Sequence, residues 1–300
     1  MRRVFAAALL ALLIPAIAKA DQATGLAAFE RGDYVAATRE LRPLAEAGDA
    51  FAQMVVGLMY EFGRGVTKDQ GEAIRWFRKS ADQGFHLAEL RFALMYENGT
   101  GVTQDISEAA RWYRSAADHG NSEAQSNLGL LYKEGRGVAQ DDAQALHWFR
   151  LSAEQGYPNG QNNLGGMYDE GRGVPRDDVE AARWYLQAAE QGLDMAQSNL
   201  GLLHLARQTP ADNAEASRWL RAAAEQGNAL GLYGLGLIHG LALGVTADYV
   251  IAHKWLELAA AQGHAQARDL LAEVAARMAP AQIAEAKKLA REWKAKPPAR

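Results

Sequence analysis

The sequence predicts an all-α solenoid built from one helical hairpin used six times, and three combs of residues in common register predict it. Trp76, Trp112, Trp148, Trp184, Trp219 and Trp255 are separated by 36, 36, 36, 35 and 36 residues. Gly48, Gly84, Gly120, Gly156, Gly192, Gly227 and Gly263 form the second comb, and Asp69, Asp105, Asp141, Asp177, Asp212 and Asp248 the third. Self-similarity at this period marks a stacked array in which each unit packs only on its neighbours, so a chain of this length needs no single central core.

Residues 1–20 stand outside the combs. Arg2 and Arg3 precede an uncharged, mostly apolar run from Val4 to Ala18, which ends in Ala18-Lys19-Ala20. This is the pattern of a cleavable secretory signal, with the cut after Ala20 and Asp21 as the mature N-terminus. The run is short for a membrane span, so no transmembrane segment is expected after cleavage. Paired arginines alone are weak grounds for a twin-arginine signal, and general secretion is the expectation. The expected location is the periplasm. Removing Arg2, Arg3 and Lys19 takes the formal net charge from −4 to −7, and an acidic chain lacks the basic footprint that nucleic acid or anionic lipid requires. With no cysteine there is no disulfide framework and no thiolate metal site.

The mature elements follow in order. Residues 21–47 read as an N-terminal capping helix pair, Thr24 to Arg31 and Tyr34 to Ala47 around Gly32-Asp33, with Leu41 and Leu44 supplying apolar contacts. Residues 48–263 hold the six repeats, and the third shows their logic. Asn121 caps a helix whose Ala124, Leu128, Leu131 and Tyr132 recur at helical spacing. Gly135-Arg136-Gly137-Val138 then turns the chain, because paired glycines permit positive φ and Val138 can plug the turn. Asp141 caps a second helix with Ala145, Trp148, Phe149 and Ala153 on one face, and Gly156 stops it. Gly129, inside the first helix, costs roughly 1 kcal/mol relative to alanine, which implies close approach of a neighbouring helix or indole. Residues 264–294 read as a C-terminal capping pair, Ala265 to Met278 and Gln282 to Trp293 joined at Pro280 and rich in Lys, Arg and Glu. Residues 295–300 are expected to be disordered.

The unit Ala124…Leu128-Gly129…Tyr132…Gly135-x-Gly137-Val138…Asp141…Ala145…Trp148-Phe149…Ala153…Gly156 resembles the Sel-one-like repeat, a relative of the tetratricopeptide repeat, over roughly residues 47 to 263. The resemblance implies a right-handed α/α superhelix with the first helix of each pair on the concave side. Two units depart from the pattern. In the fifth, the turn Ala206-Arg207-Gln208-Thr209-Pro210 is a residue short and lacks the glycine pair, and His204 replaces tyrosine. In the sixth, His239 replaces tyrosine and Ala242 replaces the first turn glycine. A local change of curvature around residues 204 to 212 is expected.

Catalytic patterns are missing. None of the eight serines begins Ser-x-x-Lys, the opening of the penicillin-recognising acyl-enzyme motif, although some secreted relatives of the family have been described as β-lactamases. A β-lactamase-like hydrolase is therefore the least supported reading. The Gly-x-Gly turns lack the Gly-Lys-Ser/Thr end of a phosphate loop. The seven histidines make no His-Glu-x-x-His pair, and His204 and His239 alone would supply two of the three or four ligands zinc wants. No enzyme, cofactor or metal site is expected, and the tryptophans read as core rather than as a sugar-stacking row.

One row remains. Asn127-Leu128-Gly129, Asn163-Leu164-Gly165 and Asn199-Leu200-Gly201 put asparagine at one place in three consecutive first helices, whereas Val55, Arg91 and Gly234 depart there. Similarity to tetratricopeptide proteins implies that these amides face a groove and hold the backbone of an extended peptide; bonding to an adjacent helix is the alternative. The candidate groove residues are Arg91, Leu94, Asn127, Leu130, Asn163, Asn199, Leu202 and Tyr233. An apolar, amide-lined groove suits a protein segment. The expected function is a monomeric, non-enzymatic periplasmic scaffold, adaptor or regulator that binds a partner protein. The alternative is a cell-envelope assembly factor binding peptidoglycan or exported polysaccharide.

Overall fold

The computed structural model describes residues 22–207 and 209–296, and every regular element among them is an α-helix. The expected signal peptide and residues 297–300 of the expected disordered tail lie outside the described residues. The chain divides into two compact units, Met1–Trp148 and Phe149–Arg300. In the first, a helix over residues 22–30 (α1) is followed by α2 (Tyr34–Glu46), α3 (Ala50–Phe62), α4 (Gln70–Ala81), α5 (His86–Asn98), α6 (Ile106–Asp118) and α7 (Ser122–Glu134). The boundary falls inside α8 (Asp142–Glu154). The second unit continues with α9 (Pro158–Glu170), α10 (Asp178–Glu190), α11 (Asp194–Arg207), α12 (Pro210–Glu225), α13 (Ala229–Gly240), α14 (Tyr249–Ala261), α15 (Ala265–Ala275) and α16 (Pro280–Glu292). Within each unit, helices adjacent in sequence pack on each other, as α3 on α4 and α11 on α12.

The hairpin forms for local reasons. The first helix ends on a left-handed glycine, Gly63, Gly99, Gly135 or Gly171, with φ between 66° and 68°. The second turn glycine is needed for space: a Cβ on Gly137 would lie 2.5 Å from the Ile106 carbonyl oxygen at the start of α6. The turn closes when the Asp69 amide donates to the Tyr60 carbonyl at 3.0 Å, a bond that recurs from Asp105 to Tyr96, Asp141 to Tyr132, Asp177 to Tyr168 and Asp248 to His239. The same aspartates then cap the second helix, as Asp69 does by accepting from the Glu72 amide at 3.0 Å. Asp212 is the exception and corrects the expectation. In the shortened turn Thr209 takes the cap, Pro210 becomes the first helical residue, and Asp212 accepts from the Thr209 hydroxyl at 2.6 Å and sits 2.9 Å from His204 Nδ1. Ala242 adopts φ 58°, doing with a side chain what glycine does elsewhere.

The core is built on the residue after each tryptophan. Phe77, Phe149, Leu220 and Leu256 are fully buried, as is Tyr113. Trp76, Trp148, Trp184 and Trp219 retain between 5% and 8% of their surface, and Trp112 and Trp255 are half-buried. The helical glycines explain the difference. A Cβ on Gly57 would meet the Phe77 ring at 2.5 Å, on Gly165 the Tyr185 ring at 2.8 Å, and on Gly201 or Gly236 the Leu220 or Leu256 side chain at 2.6 Å. The notch expected at the Gly129 position thus admits the neighbour of the indole in these repeats, and the indole lies outside it.

A buried amide ladder joins successive pairs. Gln53 Nε2 donates to the Ala45 carbonyl at 3.0 Å, Gln125 to Ala117 at 3.1 Å and Gln197 to Ala189 at 3.2 Å, each at the end of the preceding helix. The glutamine before the stop glycine comes next: Gln83 donates to Gln53 Oε1 at 2.7 Å, Gln191 to Gln161 at 2.8 Å and Gln226 to Gln197 at 2.9 Å. In the second repeat, Glu89 and His119 replace this pair, with Glu89 Oε1 accepting from the Ser115 hydroxyl at 2.6 Å and Oε2 lying 2.9 Å from His119 Nδ1. Buried polar groups satisfied in this way hold the register of packed helices.

Candidate functional site

The outward stripe of each first helix carries the sequence-predicted groove residues. In the first unit Arg91 and Leu94 lie on α5 and Asn127 and Leu130 on α7; in the second, Asn163 lies on α9, Asn199 and Leu202 on α11, and Tyr233 on α13. All eight are half-buried. The spacing of four, three and four on α9, Asn159, Asn163, Gly166 and Glu170, places one partly open face along that helix.

The amides have partners inside the protein. Asn199 Nδ2 donates to Asn162 Oδ1 on α9 at 3.0 Å, and the Asn127 amide reaches the Tyr113 hydroxyl, which itself donates to Glu97. Burial and the neighbouring Glu97 carboxylate raise the Tyr113 pKa above its ordinary value. Arg91 pairs with buried Glu61, and Glu61 Oε2 and Arg91 Nε are both buried without a hydrogen-bond partner. Tyr233 stacks on His264 at 4.5 Å and 24°. The row is thus held in place by bonds between helices, and what it offers to a ligand is the remaining open half of each side chain.

On the other side, a cation covers each of the six tryptophans of the comb. Arg183, Arg218 and Lys254 lie over the indole that follows them, at 4.5, 4.6 and 3.9 Å from the ring centroid. Lys79 lies 4.2 Å over Trp76, whereas Arg78 and Arg114 reach Trp112 and Trp148 of the next repeat at 5.4 and 5.2 Å. Each contact is worth roughly 0.5–1 kcal/mol where exposed. Ser80, fully buried, donates to the Ala50 carbonyl at 2.6 Å, so this serine is a brace. Among the described residues no three His, Cys, Asp or Glu side chains converge as metal ligands, and no helix is long and apolar enough to cross a membrane.

The Sel1 repeat family model matches residues 50–85, 86–121, 122–157, 158–193, 194–228 and 229–264, well over half of the chain. The chain belongs to the Sel1 repeat family. Each matched repeat begins on the first residue of a first helix, from Ala50 of α3 to Ala229 of α13. Among solved structures, the chain is 32% identical to a Sel1 repeat protein from Oxalobacter formigenes, with TM-score 0.72 over 80% of this chain and 96% of that one. It is also 32% identical to a protective antigen of uropathogenic Escherichia coli displaying an SLR fold, with TM-score 0.63 over 91% of this chain and 67% of that one. No curated protein matches this chain. Sel1 repeats form a non-catalytic scaffold fold that typically mediates protein–protein interaction.

Sequence reasoning missed two features of these Sel1 repeats. The glutamine ladder was visible as the recurring Gln-Gly before each new helix, in Gln83-Gly84, Gln155-Gly156, Gln191-Gly192, Gln226-Gly227 and Gln262-Gly263. The indole covers were visible as a basic residue immediately before the tryptophan in Arg183, Arg218 and Lys254, and two beyond the preceding tryptophan in Arg78 and Arg114.

Proposed function

We propose that this chain is a non-enzymatic, monomeric scaffold of the periplasm, whose first-helix face binds a partner protein through an extended segment. One observation carries the reading. Asn163, Asn199, Leu202 and Tyr233 on α9, α11 and α13 form a half-buried row of amide and apolar groups, in which Asn199 is bonded to Asn162 and Tyr233 is stacked on His264. Pre-ordered side chains lose little entropy on binding, and amides at regular spacing can meet the alternating donors and acceptors of an extended backbone. Export rests on Arg2, Arg3, the apolar run and Ala18-Lys19-Ala20. The glycan alternative needs open aromatic faces, which four buried tryptophans do not offer.

Site-specific photo-crosslinking in the periplasm tests the groove. A crosslinker at position 130 or 202, on the first-helix row, should give a discrete protein adduct that Asn199→Ala weakens; one at exposed Val179 should not. Adducts from position 179 alone would place recognition on the second helices. Mass spectrometry of the mature protein should find Asp21 first, and an intact Met1 would end the periplasmic reading.

A further inference from the structure

Beyond α16 the chain does not stop at its last helix. Trp293 is extended, with φ −74° and ψ 140°, and its ring meets Trp255 of α14 edge-on at 5.7 Å and 81°. Lys296 then donates its amide to the Glu225 carbonyl of α12 at 2.6 Å and places its ammonium 3.2 Å from the Glu225 carboxylate. The segment expected to be disordered from residue 295 is therefore tied down as far as Lys296, and it walls a pocket of about 450 Å³ between α12, α13 and α14.

The lining of this pocket runs against the charge of the chain. Arg221, Lys254, Lys294 and Lys296 face Glu225, four cations against one anion, in a protein whose formal net charge is −4. Only Lys296 is answered by an ion pair among the described residues; Arg221, Lys254 and Lys294 are not. Burial lowers the Lys254 pKa from its ordinary value, so its ammonium is partly stripped of water where it lies over Trp255. His239, at the tyrosine-replacing position, lines the same pocket with a buried Nδ1 that has no hydrogen-bond partner. Two indoles, an apolar floor at Leu235 and Ile251, an unanswered ring nitrogen and three unpaired cations have one complement. From these groups we infer that the pocket binds a small aromatic carboxylate, its ring against Trp255 and Trp293 and its anion toward Lys254, Arg221 and the His239 nitrogen.

The volume agrees with this class, since pockets of roughly 300–1,000 Å³ take small organic ligands. The site is separate from the proposed groove: Leu235 and His239 point to the opposite side of α13 from Tyr233 and Leu237, two residues being about 200° of helix. Its occupancy therefore stands or falls independently of the partner on the first helices.

Calorimetric titration of the mature chain with 1-naphthaleneacetate tests the inference, with 1-naphthaleneacetamide as the isosteric neutral control. The acid should bind at least tenfold more tightly than the amide, and added salt should narrow the gap. Lys254→Gln and Arg221→Gln should each weaken the acid severalfold while leaving the amide unchanged, and Arg221→Gln, at an exposed position, should also leave the thermal midpoint unchanged; Asn199→Ala should change neither affinity. No heat from the acid overturns the inference. So does equal binding of acid and amide, or wild-type affinity in both cation variants.

Discussion

Two consecutive glycines in α9 look in different directions, and alanine at each should move stability with opposite sign. At Gly165 a Cβ would lie 2.8 and 2.9 Å from Tyr185 Cδ1 and Cε1 and 3.2 Å from the Ala181 carbonyl. Comfortable carbon contacts begin near 3.5 Å, so the ring would have to retreat by about 0.7 Å. Tyr185 is buried and hydrogen-bonded to Asp169, and the Ala181 contact is backbone, so neither neighbour yields easily. Overpacking of this kind costs about 1–3 kcal/mol, while the helix gains about 1 kcal/mol from losing a glycine. Gly165→Ala should therefore destabilise by about 1 kcal/mol. At Gly166 the nearest atoms are Tyr185 Oη at 3.6 Å and Glu170 Oε1 at 4.0 Å, which is ordinary contact. Only the helical gain remains there, and Gly166→Ala should stabilise by about 0.5–1 kcal/mol. Urea denaturation followed by far-ultraviolet circular dichroism reads both as shifts of midpoint at constant slope. Stabilisation by both alanines would refute the notch, and with it the reason given for glycine in the first helices.

Three further outcomes follow from the same geometry. Trp148→Ala should cost about 3–5 kcal/mol in burial and cavity, and Trp293→Ala, at a half-buried ring, clearly less; equal midpoints for wild type and Trp148→Ala in denaturation would contradict the burial. Ala242→Gly should raise stability by about 0.5–1 kcal/mol, because left-handed alanine costs more than the flexibility glycine adds to the unfolded chain, and thermal melting checks it. Burial lowers the His253 pKa despite Glu257 beside it, with Lys287 adding to the fall. The folded state then binds this proton less readily than the unfolded one, so stability is full above about pH 6.5 and declines as pH falls below it. His253→Asn should flatten that decline in denaturation midpoints taken between pH 7 and pH 5.

Features decided within one turn of helix were legible in the sequence. Asp69 before a periodic apolar run and Gly63 after one announce a cap and a stop, whatever packs around them. Asp212 keeps its place in the comb but not the capping role, because deleting one turn residue lets Thr209 reach the helix start first, a competition that a comb of aspartates does not reveal. Trp148 and Phe149 share an apolar face, and period alone does not say which fits the notch; glycine depth on the facing helix decides. Asn127, Asn163 and Asn199 lie on first helices, yet Tyr113 and Asn162, the partners of Asn127 and Asn199, come from other elements, so spacing could not divide their bonds between helix and ligand. The cationic pocket was least legible, since Arg221, His239, Lys254 and Trp293 are brought together only when the tail returns to α12.

The glutamine ladder bears on how such an array grows. Gln83 on Gln53, Gln191 on Gln161 and Gln226 on Gln197 are the same joint made three times. Both glutamines of each joint lie within one repeat, so a unit duplicated or lost whole carries its joint with it and the length of the array can drift without redesign. Glu89 varies the joint at one place. Its carboxylate accepts only, and Ser115 and His119 are the donors set against it. Replacing Ser115 or His119 alone by an alanine or an apolar side chain would leave the buried Glu89 carboxylate short of a donor. All three lie within residues 86–121, so the second repeat keeps its variant joint only if it is inherited whole.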